Sequence, residues 1–257
     1  MAKTSGLGDL LFVDGYDLSG DVGAVQTMSA PSAALDVTAI NKSAMERLHG
    51  LFDGMIEFNS FFNDAANQAF PRLKAKPAGN VIVSYFKDSA IGNMAANLVA
   101  KQNTFDWNRS PDGALIGSIQ CQGNGFGLEY GGTGGTLVAK DGQLTAGKRT
   151  DTAATNGASL DSGIAGGTAL GLAAVLHVFS FVGTSVTVTI QESSDDGAGD
   201  PYAAVVGGAF TAATGVTAQR IVTSLTLAVE RYLRVVTSGT FSSAVFAVSH
   251  TRYPYAV

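Results

Sequence analysis

The feature that most constrains the fold of this chain is the recurrence of short apolar runs separated by glycine, asparagine and aspartate. This rhythm is typical of antiparallel β-structure, because short strands alternate there with tight turns. In the first half of the chain it predicts strands at Leu10 to Val13, Val22 to Met28, Met55 to Phe62, Val81 to Phe86, Leu98 to Trp107 and Leu115 to Gln122. The sequence therefore predicts a mainly β fold.

One short helix is predicted just before the third of these strands. Ser43 and Glu46 have the S-x-x-E spacing of a capping box, in which each side chain satisfies the other residue's free backbone N–H. Gly50 stands where a left-handed C-cap is expected. The pattern predicts a helix from Ala44 to His49.

A second short helix is predicted after the third strand. Asp64 has the side chain of an N-cap, and Pro71 restricts the residue before it and cannot continue a helical hydrogen-bond ladder. This helix is therefore expected to end near Phe70.

The second half of the chain carries the most regular β pattern. Val175 to Phe181 and Val186 to Ile190 are separated by Val182 to Ser185, which predicts a hairpin with one buried and one wet face. Further strands are predicted at Ala203 to Val206, Gln219 to Thr223, Arg231 to Thr237 and Val245 to His250. Antiparallel strands at this density predict a compact sandwich or jelly roll.

Composition divides the chain into two β domains. With 257 residues, 46% of them hydrophobic, the chain is long enough for two cores. Between them a stretch rich in glycine, threonine and alanine, which the glycines from Gly131 to Gly135 introduce, resembles a linker. We predict a first domain over 1–135, a connection over 136–167 and a second domain over 168–257. Two alternatives to a flexible linker stay open for part of the connection: a strand, or an arm held against a neighbour.

Charge and cysteine content exclude several classes of protein. The net charge of -5, from 16 basic and 21 acidic residues without a basic run, argues against tight DNA binding. Cys121 is the only cysteine, so no internal disulfide can form, and we expect it to be a core residue. No apolar run is long enough for a signal peptide or a membrane span, so we expect neither export nor membrane insertion.

Residues suited to catalysis or to cofactor and metal binding are sparse. The three histidines, His49, His177 and His250, have no spacing that presents a metal pair. The aspartates of 195–200 lack the ligand spacing of an EF-hand, and we interpret them as a solvated turn. The glycine run after Tyr130 lacks the lysine of a P-loop. We therefore expect no catalytic residue, no cofactor and no metal, and thus no enzyme.

Two aromatic residues keep a sugar-binding alternative open. Trp107 and Tyr202 have rings of the kind that stack on a sugar, and small β-sandwiches often bind carbohydrate. Their sequence neighbours do not form a recognisable sugar cluster. Core or interface packing is the favoured interpretation of both.

Three stretches carry a resemblance to a known family. They are Leu35 to Thr38 leading through Ser43 and Gly50 to Phe58, Val81 to Phe86 with Gly92, Asn93 and Leu98 to Lys101, and Leu176 to Phe181 with Arg231 to Val236. In texture and order the chain resembles the major tail proteins, or tail-tube proteins, of siphophages, particularly of phages that infect actinobacteria.

The resemblance implies a fold, partners and a location. It implies an N-terminal β-barrel or sandwich with one or two short flanking helices, followed by an outward-facing β-sandwich. It also implies rings, usually hexameric, stacked into a tube through which phage DNA passes without specific binding. Tape measure and tail terminator proteins would be further partners, without a membrane, in a virion component made in the host bacterial cytoplasm.

Candidate interface residues follow from this interpretation. Met45, Leu48 and Phe52 surround the predicted capped helix and are candidates for the subunit boundary. The alternative, that they cover the core of their own domain, stays open at this point.

Two other functions stay open as well. A capsid decoration protein shares the β-rich and weakly charged character of the chain. A carbohydrate-binding β-sandwich on a structural carrier would use the aromatic residues named above.

Overall fold

The computed structural model describes residues 5–132, 140–164 and 167–252 of the chain. Eleven strands lie in the first part: β1 (Leu10–Val13), β2 (Tyr16–Asp17), β3 (Val22–Ser29), β4 (Ser32–Asp36), β5 (Arg47–Phe52), β6 (Met55–Phe61), β7 (Val81–Phe86), β8 (Ala95–Gln102), β9 (Asp106–Arg109), β10 (Leu115–Gly123) and β11 (Glu129–Gly131). A short helix, α1 (Ala69–Leu73), lies between β6 and β7. The mainly β fold is confirmed.

Most of the first part forms one antiparallel sheet. Its nine strands run in the order β2-β1-β7-β8-β10-β6-β3, with β11 beside β8 and β9 beside β10, and the sheet curls into a half-barrel. Alternate residues of β6, such as Ile56 and Phe58, are buried, while Glu57 between them is partly exposed. The buried side chains join those of α1 and β8 in a single core. The period-2 pattern of the sequence thus sets which face is buried.

The second part is built on two very long strands. It comprises β12 (Gly142–Gln143), β13 (Arg149–Asp151), β14 (Asn156–Asp161), β15 (Leu172–Ser193), β16 (Ala203–Ala209), β17 (Thr217–Val222) and β18 (Tyr232–Arg252). β15 and β18 pair antiparallel along their whole length, from Leu172 opposite Arg252 to Ser193 opposite Tyr232. Buried residues from both ends of β15, such as Leu176 and Val188, belong to one core, so the two halves of the ribbon enclose it together.

The predicted hairpin at 182–185 is wrong. Residues Val175 to Ile190 belong to the single strand β15, and each half pairs with β18 instead of with the other. The register shifts at Val182–Gly183 and Gly183–Ser185, as in β-bulges. The glycine that suggested a turn therefore serves a bulge inside a continuous strand.

The first helix prediction is wrong, and the second is wrong in position. Residues 47–49 of the predicted first helix lie in strand β5. Ser43 and Glu46 lie in the loop that joins β4 to β5. The helix α1 begins at Ala69, where the second helix was expected to end, and Pro71 lies in its first turn. A backbone N–H in the first turn has no intrahelical acceptor, so the absence of this N–H in proline costs no helical hydrogen bond.

Much of the predicted connection is ordered against the second sheet. Strands β12, β13 and β14 fall within 136–167, and all three pair with β18. Gly134 and Gly135 of the glycine run lie outside the described residues. Among the described residues, no helix reaches the length and hydrophobicity needed to cross a bilayer.

The two large sheets are packed on each other through a third core. Phe12 and Phe86 of the first sheet and Ala247 of the second are fully buried in it, and Phe179 packs against them. The rings of Phe12 and Phe179 meet edge to face with centroids 4.7 Å apart. The described parts of the chain thus form two sheets joined by a dry contact.

Candidate assembly surface

The third sheet is a two-stranded hairpin, β4–β5, that continues the ribbon formed by β3 and β6. Its strands pair with each other and, among the described residues, with no other strand. The ribbon is clamped at its base, where the Asp53 N–H donates to the Pro31 carbonyl over 2.9 Å. Next to it, a side chain at Gly54 would lie 2.6 Å from the Leu128 nitrogen, so glycine is needed for this close approach. The hairpin therefore projects from a firmly packed base.

The strand register gives the hairpin one apolar face. Leu35 lies opposite Leu48, and alternation places Val37 beside them on the same face. Their side chains are 50%, 59% and 46% exposed, respectively. An apolar face that the chain itself leaves open is a common mark of an interaction surface.

Polar groups on the opposite face and in the loop are bonded to one another. Asp36 lies opposite Arg47, and Ser32 Oγ is 2.9 Å from His49 Nδ1. In the loop, Thr38 Oγ1 accepts from the Glu46 N–H over 2.9 Å and donates to Asp36, which lowers the pKa of that carboxyl. These bonds hold the loop in shape and leave the apolar face as the unusual feature.

The three candidate interface residues all lie on or beside this hairpin. Leu48 is on the apolar face, Phe52 is in the last position of β5 and Met45 is in the loop. They are 59%, 49% and 58% exposed, and none belongs to a buried core cluster. These three residues were expected to surround a helix, and the structure places them on strand β5 and in the loop before it.

Sequence reasoning missed other exposed apolar residues of the same hairpin. Leu35 and Val37 belong to its apolar face, Ile40 lies fully exposed in the loop, and Leu51 of β5 is 88% exposed. A signal was present: large apolar residues are dense between positions 35 and 52 without the partners that would bury them. A capped helix over 44–49 also accounts for this stretch, so the sequence pattern alone does not indicate that these side chains are exposed.

The remaining chemical candidates are distributed over distant places. His49 is exposed on the hairpin, while His177 and His250 are fully buried. Cys121 is a buried free thiol, and burial raises its pKa to about 12. Within the described residues no cluster of histidine, cysteine and carboxylate side chains is suited to hold a metal.

The acidic turn and the two sugar-binding candidates have local partners. Asp195 accepts hydrogen bonds from the backbone N–H groups of Ala198, Gly199 and Asp200, which closes the turn on itself. Trp107 packs within an aromatic cluster in the first part of the chain, whereas Tyr202 lies under the Arg234 guanidinium in the second. The structure therefore does not bring Trp107 and Tyr202 together.

Comparisons with known proteins give similarity at the level of solved structures. No protein-family model matches the chain, and no curated protein matches it. Half of the chain (50%) is similar to 98% of a chain in the virion of a native gene transfer agent particle, with 16% identity and a TM-score of 0.40. Over 95% of its length it is similar to 99% of the Dit protein of phage SPP1, a hub adsorption apparatus protein, with 10% identity and a TM-score of 0.32. A chain of the phage p2 baseplate in its activated conformation is matched over 99% of its length and 96% of this chain, with 10% identity and a TM-score of 0.31.

Proposed function

We propose that this protein is a structural subunit of a bacteriophage tail, and specifically a tail-tube protein that assembles with copies of itself. The observation that carries the proposal is the apolar face of the β4–β5 hairpin, formed by Leu35, Val37 and Leu48. The sequence resemblance to siphophage tail-tube proteins gives the assembly its proposed form. The hairpin supplies a physical means of contact between subunits.

The energetics of the hairpin favour a partner. An isolated two-stranded hairpin is at best marginally stable in water. Fully burying a leucine or valine side chain contributes about 1.5–3 kcal/mol. Leu35, Val37 and Leu48 are close to half exposed or more, so covering them contributes about half of that per side chain. A second copy that covers this face would therefore stabilise both the hairpin and the assembly.

The form of the contact follows from its position. The hairpin is a projection, and its contact with a different surface of the next copy is heterologous, which yields closed rings or open filaments. We propose hexameric rings stacked into a tube, with the second sheet outside and with tape measure and tail terminator proteins as further partners. The net charge of -5 suits a lumen through which phage DNA passes without being bound.

The test is a pair of charge substitutions on the two faces of β5. Leu48→Asp places a carboxylate on the apolar face, and His49→Asp places the same group on the opposite, polar face, where His49 pairs with Ala34 in continuous register. Negative-stain images and sedimentation velocity should show tubes or rings for the wild type and for His49→Asp. The Leu48→Asp protein should stay folded, by circular dichroism, and should sediment as a monomer.

Two results would overturn the proposal. A wild-type protein that stays monomeric at high concentration in every condition tried has no self-assembly to explain. If Leu48→Asp assembles as well as His49→Asp does, the apolar face is not the contact between subunits.

A further inference from the structure

The contact between the two large sheets contains a buried histidine. His177 lies on β15 in the second sheet, and its side chain is fully buried against the first. Its Nδ1 accepts a hydrogen bond from the Gly15 N–H over 3.1 Å, and its Nε2 lies 2.9 Å from Ser84 Oγ. Both partners belong to the first sheet or its turns, so this one ring links the two sheets.

The surrounding hydrogen bonds determine which nitrogen carries the proton. Ser84 Oγ donates its hydrogen to Asn97 Oδ1 over 2.7 Å, so it can only accept from His177 Nε2–H. Ser249 Oγ of the second sheet donates to the same Asn97 oxygen over 2.9 Å. Nδ1 must therefore be unprotonated, because the Gly15 N–H is directed at it. The network is complete only with a neutral imidazole.

Among the described residues, the hydrogen bonds and ring contacts of the His177 side chain include no charged group that would compensate a proton. Its neighbours are aromatic: the His177 ring is stacked on Phe179 with centroids 6.1 Å apart and is tilted against Phe12 at 5.8 Å. Burial accordingly lowers the pKa of His177 to about 3. A proton on Nδ1 would place two donors face to face in a dry contact.

The charged and titratable groups on the packed elements are engaged elsewhere. Asp14 accepts from the Ile82 N–H, Asp17 pairs with Lys148 and Tyr85 donates to Asp9. On the second sheet, Arg220 pairs with Glu129, His250 bonds to the Gly142 carbonyl, and Arg252 donates to the carbonyls of Val229 and Glu230. None of these bonds involves the His177 ring, so none of them compensates a proton on it, and the His177→Gln variant separates its contribution from that of the Arg220–Glu129 pair across the same contact.

We propose that His177 is an acid-sensitive latch between the two sheets, which holds them together while neutral and releases them when it is protonated. Release would uncover the Phe12, Phe86 and Phe179 cluster and break the Gly15 and Ser84 hydrogen bonds in one step. The latch rests on the contact between the sheets and is independent of whether the protein assembles into a tube.

The direction of the pH effect follows from linkage. In a released contact the exposed histidine regains its ordinary pKa of 6.5, whereas in the closed contact the pKa lies near 3. The free energy that holds the two sheets together is therefore at its full value above pH 6.5 and decreases as the pH falls below 6.5. Between the two values the open-to-closed ratio rises by up to about tenfold per pH unit.

Hydrogen exchange of the full-length protein tests the latch. Protection factors, corrected for the intrinsic rate, are measured at pH 7.5 and 4.5 for peptides that cover residues 10–17, with peptides of β10 as the internal reference. We expect protection of 10–17 to fall by up to about 100-fold relative to β10 at pH 4.5. His177→Gln, which cannot be protonated, should remove this dependence, and His49→Gln, at an exposed site, should keep it.

A direct titration covers the case in which His177→Gln does not fold. The ring signals of His177 in the wild-type protein, observed by NMR, should report protonation over the same pH range as the loss of protection. The latch is refuted if protection of 10–17 is unchanged at pH 4.5, or if it falls while His177 stays neutral.

Discussion

Arg220 and Glu129 show how much of the fold depends on contacts that are distant in sequence. Their side chains are 7% and 4% exposed, and two hydrogen bonds of 2.5 and 3.0 Å join the guanidinium to the carboxylate across the sheet contact. The Arg220 guanidinium also lies 3.9 Å from the centroid of the Phe126 ring. No local sequence pattern predicts such a pair, because the two partners are 91 residues apart in the chain. The same holds for His177, which reads as one more strand residue until its partners are seen.

Breaking this ion pair should be costly. Arg220→Met leaves the Glu129 carboxylate buried without its counter-ion, and we expect the free energy of unfolding to fall by about 3–5 kcal/mol in urea titrations. Lys42→Met, which removes one partner of the exposed Lys42–Glu46 pair, should change it by less than about 1 kcal/mol. Combining Arg220→Met with Glu129→Gln should recover part of the loss. Equal effects of the two single substitutions would refute the assigned role.

His250 should contribute to the acid sensitivity of the whole protein. Burial is the first cause that lowers its pKa to about 3, and its Nδ1 lies 3.2 Å from the Gly142 carbonyl. Because the unfolded chain binds a proton below pH 6.5 and the folded chain does not, stability falls as the pH is lowered from 6.5. In urea titrations between pH 6 and 4, the free energy of unfolding of the His250→Gln protein should fall less steeply with decreasing pH than that of the wild type. The difference in slope should correspond to about one proton. An unchanged slope would show that His250 does not stay neutral in the fold.

At the scale of elements, sequence patterns located strands well and misjudged their ends and neighbours. The strands at Leu10–Val13 and Val81–Phe86 are found as predicted, because period-2 burial is written into the local sequence. The helix at 44–49 failed because a hairpin loop also satisfies its polar groups, through the Thr38 side chain and the Glu46 N–H. Which of two local solutions is adopted depends on the strand opposite. That strand is fixed by tertiary pairing, which local spacing does not encode.

The bulge in β15 should tolerate no side chain. Gly183 has a φ of +154°, and a Cβ there would lie 2.4 Å from the Phe241 Cα, so Gly183→Val forces the paired strands apart. We expect an unfolding free energy reduced by about 1–3 kcal/mol, the range of substitutions that strain a special backbone position. Gly215→Val is the control, since nothing lies within 4 Å of a Cβ at that position. Thermal and urea unfolding measure both, and similar losses for the two would remove the special role of the bulge.

For the whole molecule, composition predicted the class of fold but not how its parts are joined. Two hydrophobic cores were expected and are present. The third, between the sheets, was not expected, because Phe12, Phe86 and Phe179 each look like ordinary core residues of their own strands. The candidate interface residues lie on or beside one hairpin, whereas the sequence placed them around a helix, and their role at a subunit boundary stays a prediction. Exposure of an apolar side chain is a property of the complete fold, and a sequence of short strands leaves it undetermined.

Folding and assembly should therefore be separable in this molecule. A variant in which residues 34–49 are replaced by Asn-Gly closes the ribbon between Ala33 and Gly50, where a Cβ on Gly50 would lie 3.1 Å from that of Ala33. Because the removed residues belong to none of the buried cores, we expect the unfolding free energy to change by less than about 1 kcal/mol. Sedimentation velocity should then show a folded monomer, while a Lys42→Ala control assembles like the wild type. Tubes formed by the shortened chain would place the contact elsewhere, and a shortened chain that fails to fold would make the hairpin part of the folding unit.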